Sequence, residues 1–66
     1  MAKLSWINNF DRVIAISRNG MNHEGDIGYV TKINRKLDIV TCYMYNTGEE
    51  VEYKSSDLNL FLKARR

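Results

Sequence analysis

The chain has 66 residues, 44% of them hydrophobic, and a formal net charge of +2 from ten Lys and Arg against eight Asp and Glu. A domain this small buries only about 60% of the surface its unfolded chain exposes, which leaves little room for a deep substrate pocket and argues against an enzyme. So small an imbalance permits nucleic-acid binding without demanding it.

Cys42 is the only cysteine and His23 the only histidine. No intramolecular disulfide can form, and one Cys with one His falls short of the ligands a zinc site needs. A lone Cys in a strand pattern reads as a small buried hydrophobe, and a reducing, cytoplasmic setting fits it. No stretch approaches the ~20 apolar residues of a membrane span. The first residues carry no long apolar run after Lys3, so no signal peptide is expected. The sequence indicates no cofactor motif, metal site or small-molecule substrate.

In chain order, residues 3–10 place Leu4, Ile7 and Phe10 at three-residue spacing, which suits one helical turn or a short closing arm. Trp6 is expected over one end of the core. Asn8 and Asn9 mark a turn. Residues 10–18 are the first strand, with Val13 and Ala15 on one face and Ile14 and Ile16 on the other, a pattern of burial on both sides. Residues 19–25 form a loop that opens on Asn-Gly.

The central strand covers residues 26–34. Ile27, Tyr29 and Ile33 share one parity and Val30 takes the other. Gly28, a glycine inside a strand, marks a bulge, a bend or the close approach of another backbone. Residues 34–38 are a polar hairpin with Arg35 and Lys36 at its tip. In the next strand, residues 37–45, the core parity is Val40, Cys42 and Met44. Ile39, Thr41, Tyr43 and Tyr45 face the other way. Asn46-Thr47-Gly48 is a tight turn with Gly where a positive φ is needed. Residues 49–54 alternate strictly, with Val51 and Tyr53 inward and Glu50, Glu52 and Lys54 outward. Ser55 or Ser56 can start a 3-10 turn by accepting a backbone hydrogen bond. Residues 58–62 close the sheet with Leu58, Leu60 and Leu62 on one face, and residues 63–66 are a basic tail.

This order predicts an all-β domain: a small, partly open antiparallel barrel of about five strands, with a short N-terminal turn or helix and a 3-10 turn before the last strand. It spans the chain as one domain, with its core over about 11–62. The run Gly25-x-x-Gly28-x-Val30-x-x-Ile33, followed by Val51-x-Tyr53 and Ser56-Asp57-Leu58, resembles the SH3-like barrels. In particular it is similar to the KOW motif of ribosomal proteins and transcription elongation factors. Tudor-like domains and small accessory subunits of photosynthetic electron-transfer complexes share the pattern. Here Glu24 and Asp26 flank the glycine, and the loop tip is not basic. The resemblance implies binding to RNA, DNA or protein rather than catalysis.

Two functional readings follow. In the first, Lys32, Arg35 and Lys36 meet phosphates, with Arg18, Arg12 and the basic tail extending the patch, while Tyr29, Tyr43 and Tyr45 offer stacking surfaces, as in a module acting on nucleic acid or on a transcription or translation complex. In the second, the acidic strand with Glu49, Glu50 and Glu52, together with Trp6, docks on a protein, as a small regulator or accessory subunit of a larger enzyme would. The two readings are expected to use different faces.

Overall fold

The computed structural model describes residues 7–63. It is all-β: β1 (Arg12–Ala15), β2 (Ile27–Asn34), β3 (Ile39–Met44), β4 (Glu49–Lys54) and β5 (Leu58–Leu62), with a 3-10 turn (Ser55–Asp57) before the last strand. Every pairing is antiparallel, in the order β4-β3-β2-β1-β5. The sheet has one core. Val13, Ala15, Val30, Val40, Cys42, Met44, Tyr53 and Leu58, drawn from all five strands, are buried in one cluster with Ile7. A single sheet whose two edge strands share one core, with no second layer, must curl around it.

Gly28 sits where a neighbouring backbone comes close. A side chain at position 28 would press on the Tyr43 carbonyl oxygen and lie 2.6 Å from Met44 Sδ. The sequence reading of a close backbone approach is therefore correct here. The bulge itself lies further on. Val30 pairs with Cys42 but Lys32 pairs with Thr41, so Thr31 is the extra residue. Its hydroxyl donates to the Thr41 carbonyl at 3.3 Å. An extra residue reverses the parity beyond it. Ile33 consequently joins Val30 on the core side and packs against the cluster, in place of sharing the Tyr29 face as the alternation predicts.

A second shift lies opposite the start of β1, where Val13 pairs with Leu60 but Arg12 with Leu62. Leu62 is accordingly exposed and not on the Leu58–Leu60 face. β1 is also shorter than predicted. Phe10 has φ +69 and Asp11 closes a turn onto the Asn8 carbonyl, so the strand starts only at Arg12. Ile14 and Ile16 are half-buried while Val13 and Ala15 are fully so, which makes β1 one-sided. Ile7 is buried and Phe10 is exposed, so the two do not share a helical face.

The predicted parities of β3 and β4 agree with the structure: Val40, Cys42, Met44 and Tyr53 are buried, and Glu50, Glu52 and Lys54 exposed. Gly48 has φ +68 and its N–H bonds the Met44 carbonyl at 2.8 Å, which closes the β3–β4 hairpin. The 3-10 turn carries no side-chain cap. Ser55 Oγ instead donates to Asp38 Oδ1 at 2.6 Å and so ties the turn to the β2–β3 hairpin. Lys63 is held too: its Nζ lies 3.1 Å from the buried carboxylate of Asp11, which also accepts the Asn8 N–H at 3.0 Å.

Candidate nucleic-acid interface

The outer face of the sheet carries one row that crosses all five strands. Register places Leu62, Arg12, Tyr29, Tyr43 and Glu50 side by side, one from each strand. Tyr45 lies one row on, where its N–H bonds the Ile27 carbonyl at 3.1 Å. The strand positions bring the three tyrosines together as the sequence predicts. Ring centroids are 5.3 Å apart for Tyr29–Tyr43, 5.7 Å for Tyr29–Tyr45 and 6.2 Å for Tyr43–Tyr45. These are contact distances for tilted and edge-on aromatic pairs. The rings thus form a closed cluster, with no slot into which a planar or cationic group could slide. Tyr45, 49% exposed, offers the most surface of the three.

Arg12 is the residue that sequence reasoning left at the margin. Its Nε donates to the Tyr45 hydroxyl at 3.3 Å, so a guanidinium flanks the aromatic cluster. Only its pairing register with Tyr29, which depends on the fold, could have placed it there.

Of the predicted cations, Lys32 and Arg35 border one cleft, while Lys36 and Arg18 stand apart from it. Lys32 is exposed on the outer face because the Thr31 bulge turned it there. With Asn34, Leu37, Ile39, Thr41 and Glu52 it lines a shallow hollow of about 130 Å³ beside the tyrosines. Lys36 stands exposed at the hairpin tip. Arg35 faces the other side of β2, where its Nη2 donates to the Ile7 carbonyl at 3.4 Å. There it borders a polar cleft of about 360 Å³ that Asn8, Asn9, Thr31, Ile33 and Lys32 also line, so Lys32 reaches the same cleft as Arg35. Arg18 lies beyond the Ala15 end of β1, at the opposite end of the sheet from Arg35 and Lys36.

The expectation that the acidic strand defines a separate face needs correction. Glu50 pairs with Tyr43, and Glu52 pairs with Thr41, which in turn pairs with Lys32. Both carboxylates therefore stand on the tyrosine face. Glu49 takes the opposite parity, beside Met44, at the exposed start of β4. Trp6 lies outside the described residues.

Cys42 is fully buried, and burial pushes its thiol up to about 12. At neutral pH it is a protonated core side chain, while His23 is exposed in the loop before β2. The described residues hold no group of three or more His, Cys, Asp or Glu that could bind a metal ion, and no helix long and apolar enough to cross a membrane. No family model, curated protein or solved structure matches the chain.

Proposed function

We propose that the chain is a small, non-catalytic, SH3-like binding module of the cytoplasm that takes single-stranded RNA or DNA, alone or within a transcription or translation complex. The observation that carries this is the contact cluster of Tyr29, Tyr43 and Tyr45 with Arg12 bonded to its rim. Stacking on an aromatic surface is worth about 1–3 kcal/mol per base and tolerates any sequence. Arg12, Lys32 and Lys36 supply cations along β2 from the cluster to the hairpin tip. That span is roughly 20 Å at ~3.3 Å per residue, enough for a few nucleotides.

The test is fluorescence anisotropy with labelled single- and double-stranded DNA and RNA at about 50 and 200 mM salt. Three phosphate contacts on a single strand give a log–log salt slope of about −2. Tyr45→Ala is expected to weaken binding by about tenfold or more, and Lys32→Glu with Lys36→Glu to abolish it. Arg35→Glu is the poorer probe, because Arg35 also holds the Ile7 carbonyl. Absence of binding at the lower salt sinks the reading.

Glu50 and Glu52 on the same face favour a second reading, a protein partner that brings its own cations, with the chain docking on a larger enzyme as a regulator or accessory subunit. Glu50→Lys with Glu52→Lys separates the two. It strengthens nucleic-acid binding under the first reading and destroys docking under the second.

A further inference from the structure

Glu52 is out of place on a face that meets phosphates, because a carboxylate repels them. The hollow that it lines gives it a task. Lys32 and Asn34 of β2 stand on one side of that hollow and Glu52 of β4 on the other, with Ile39 and Thr41 of β3 as the floor between them. Adjacent strands lie about 4.8 Å apart, so the two walls rise from backbones roughly 10 Å apart. That gap admits a flat ring hydrogen-bonded at both ends. Among the described residues, no ion pair joins Lys32 to Glu52 across it. The volume of about 130 Å³ is well below the ~300 Å³ at which pockets for drug-sized ligands begin, which suits a single base.

The walls differ in kind. Lys32 offers only donors. The side-chain oxygen of Asn34 accepts the Leu37 N–H at 3.2 Å, which leaves its amide nitrogen as a further donor. Glu52 offers only acceptors. Its backbone is steadied by Asn19 Nδ2, which donates to the Glu52 carbonyl at 2.8 Å. Leu37, 67% exposed, and Ile39 are the apolar surfaces that a ring would cover.

We infer, resting on the single-strand reading above, that the hollow is a guanine pocket. Guanine has the matching polarity: acceptors O6 and N7 along one edge and the donors N1–H and N2–H₂ along another. The Glu52 carboxylate takes the two donors together, while Lys32 and Asn34 meet O6 and N7. In each other base a single donor group stands beside an acceptor, so the second carboxylate oxygen faces a lone pair. Tyr29, Tyr43 and Glu50 form the neighbouring row on the same face, about 7 Å away along β3. A strand that stacks one base on the tyrosines carries its next base over the hollow. Glu50 does not line the hollow and has no part in the pocket.

The test is anisotropy of the full chain at about 50 mM salt with short labelled RNA and DNA strands. Each is a run of uridine or thymidine carrying one central guanine, adenine, cytosine or hypoxanthine. The guanine strand is expected to bind about tenfold or more tighter than the unsubstituted one. The hypoxanthine strand, which lacks the N2 amino group, should fall between them. Glu52→Gln should erase the guanine preference and leave the unsubstituted strand bound at least as tightly, since a like charge is removed from the phosphates. Glu50→Gln should keep the preference, and circular dichroism should show both variants folded. The gain expected from Glu50→Lys with Glu52→Lys is read on the unsubstituted strands. Equal affinity for all strands overturns the guanine pocket and leaves the single-strand reading standing. So does a guanine preference that survives Glu52→Gln, or a stronger preference for another base. No binding to any strand overturns both and leaves Glu50 and Glu52 to a protein partner.

Discussion

Gly28 and Cys42 show how little slack the core has at the scale of one residue. A methyl group at position 28 would collide with the carbonyl oxygen of Tyr43, which the β2–β3 ladder holds in place, as well as with the movable Met44 sulfur. Gly28→Ala is expected to destabilise the fold by about 3 kcal/mol, read as a lower urea midpoint at unchanged slope. Cys42 gives a pH signature. Its thiol titrates near 9.0 when free and near 12 when buried. Between those values the unfolded chain has lost a proton that the folded chain keeps, so stability is complete below about pH 9 and falls as pH rises. The slope approaches about 1.4 kcal/mol per pH unit. Cys42→Val should flatten the alkaline limb of a denaturation series. Burial also raises the Tyr53 hydroxyl above the ordinary tyrosine value of 10.0, which leaves a residual fall at more alkaline pH.

Among the elements, the hairpins are where a few polar atoms decide the geometry. Asp38 has φ +58, a conformation Asp tolerates better than most side chains, and its carboxylate accepts from the buried Ser55 hydroxyl. Asp38→Ala loses both advantages and should cost about 2 kcal/mol. Asp38→Asn keeps an acceptor oxygen and tolerates the left-handed region, so its thermal midpoint should stay close to that of the parent. The elements also show what a sequence pattern can carry. The faces of β3 and β4 were legible because their alternation is strict and unbroken. The Thr31 bulge was not, because threonine suits either face of a strand and has no bulge signature. Within β2, Ile33, read beyond Thr31 by counting twos, was therefore placed on the wrong face. Leu62 failed for the same reason, displaced by the register shift between β1 and β5. The tyrosine cluster was legible because Tyr29 precedes the bulge. Arg12 was not, since its place beside Tyr29 is a matter of strand order.

For the whole molecule, the critical contact joins residues at opposite ends of the described chain. Asp11 is a fully buried carboxylate, and a charged residue at a strand start gives no sequence sign of burial. Its contact with Lys63 fastens the start of β1 to the end of β5. Lys63→Ala leaves the buried charge without that cation. It should lower stability by about 1–2 kcal/mol, measured by thermal unfolding, with a smaller loss for Lys63→Arg.

That contact also bears on how the unit can be built into other chains. The Asn8 N–H and the Lys63 ammonium converge on the same oxygen of Asp11, at 3.0 and 3.1 Å. The chain thus enters and leaves the sheet at a single point. A domain whose ends meet can be spliced into a surface loop of a host protein, or rewired by joining those ends and opening a turn elsewhere, without unpairing a strand. New termini opened at Thr47, with a short Gly-Ser linker joining Lys63 to Ile7, should give a permuted protein that retains the β-sheet spectrum of the parent.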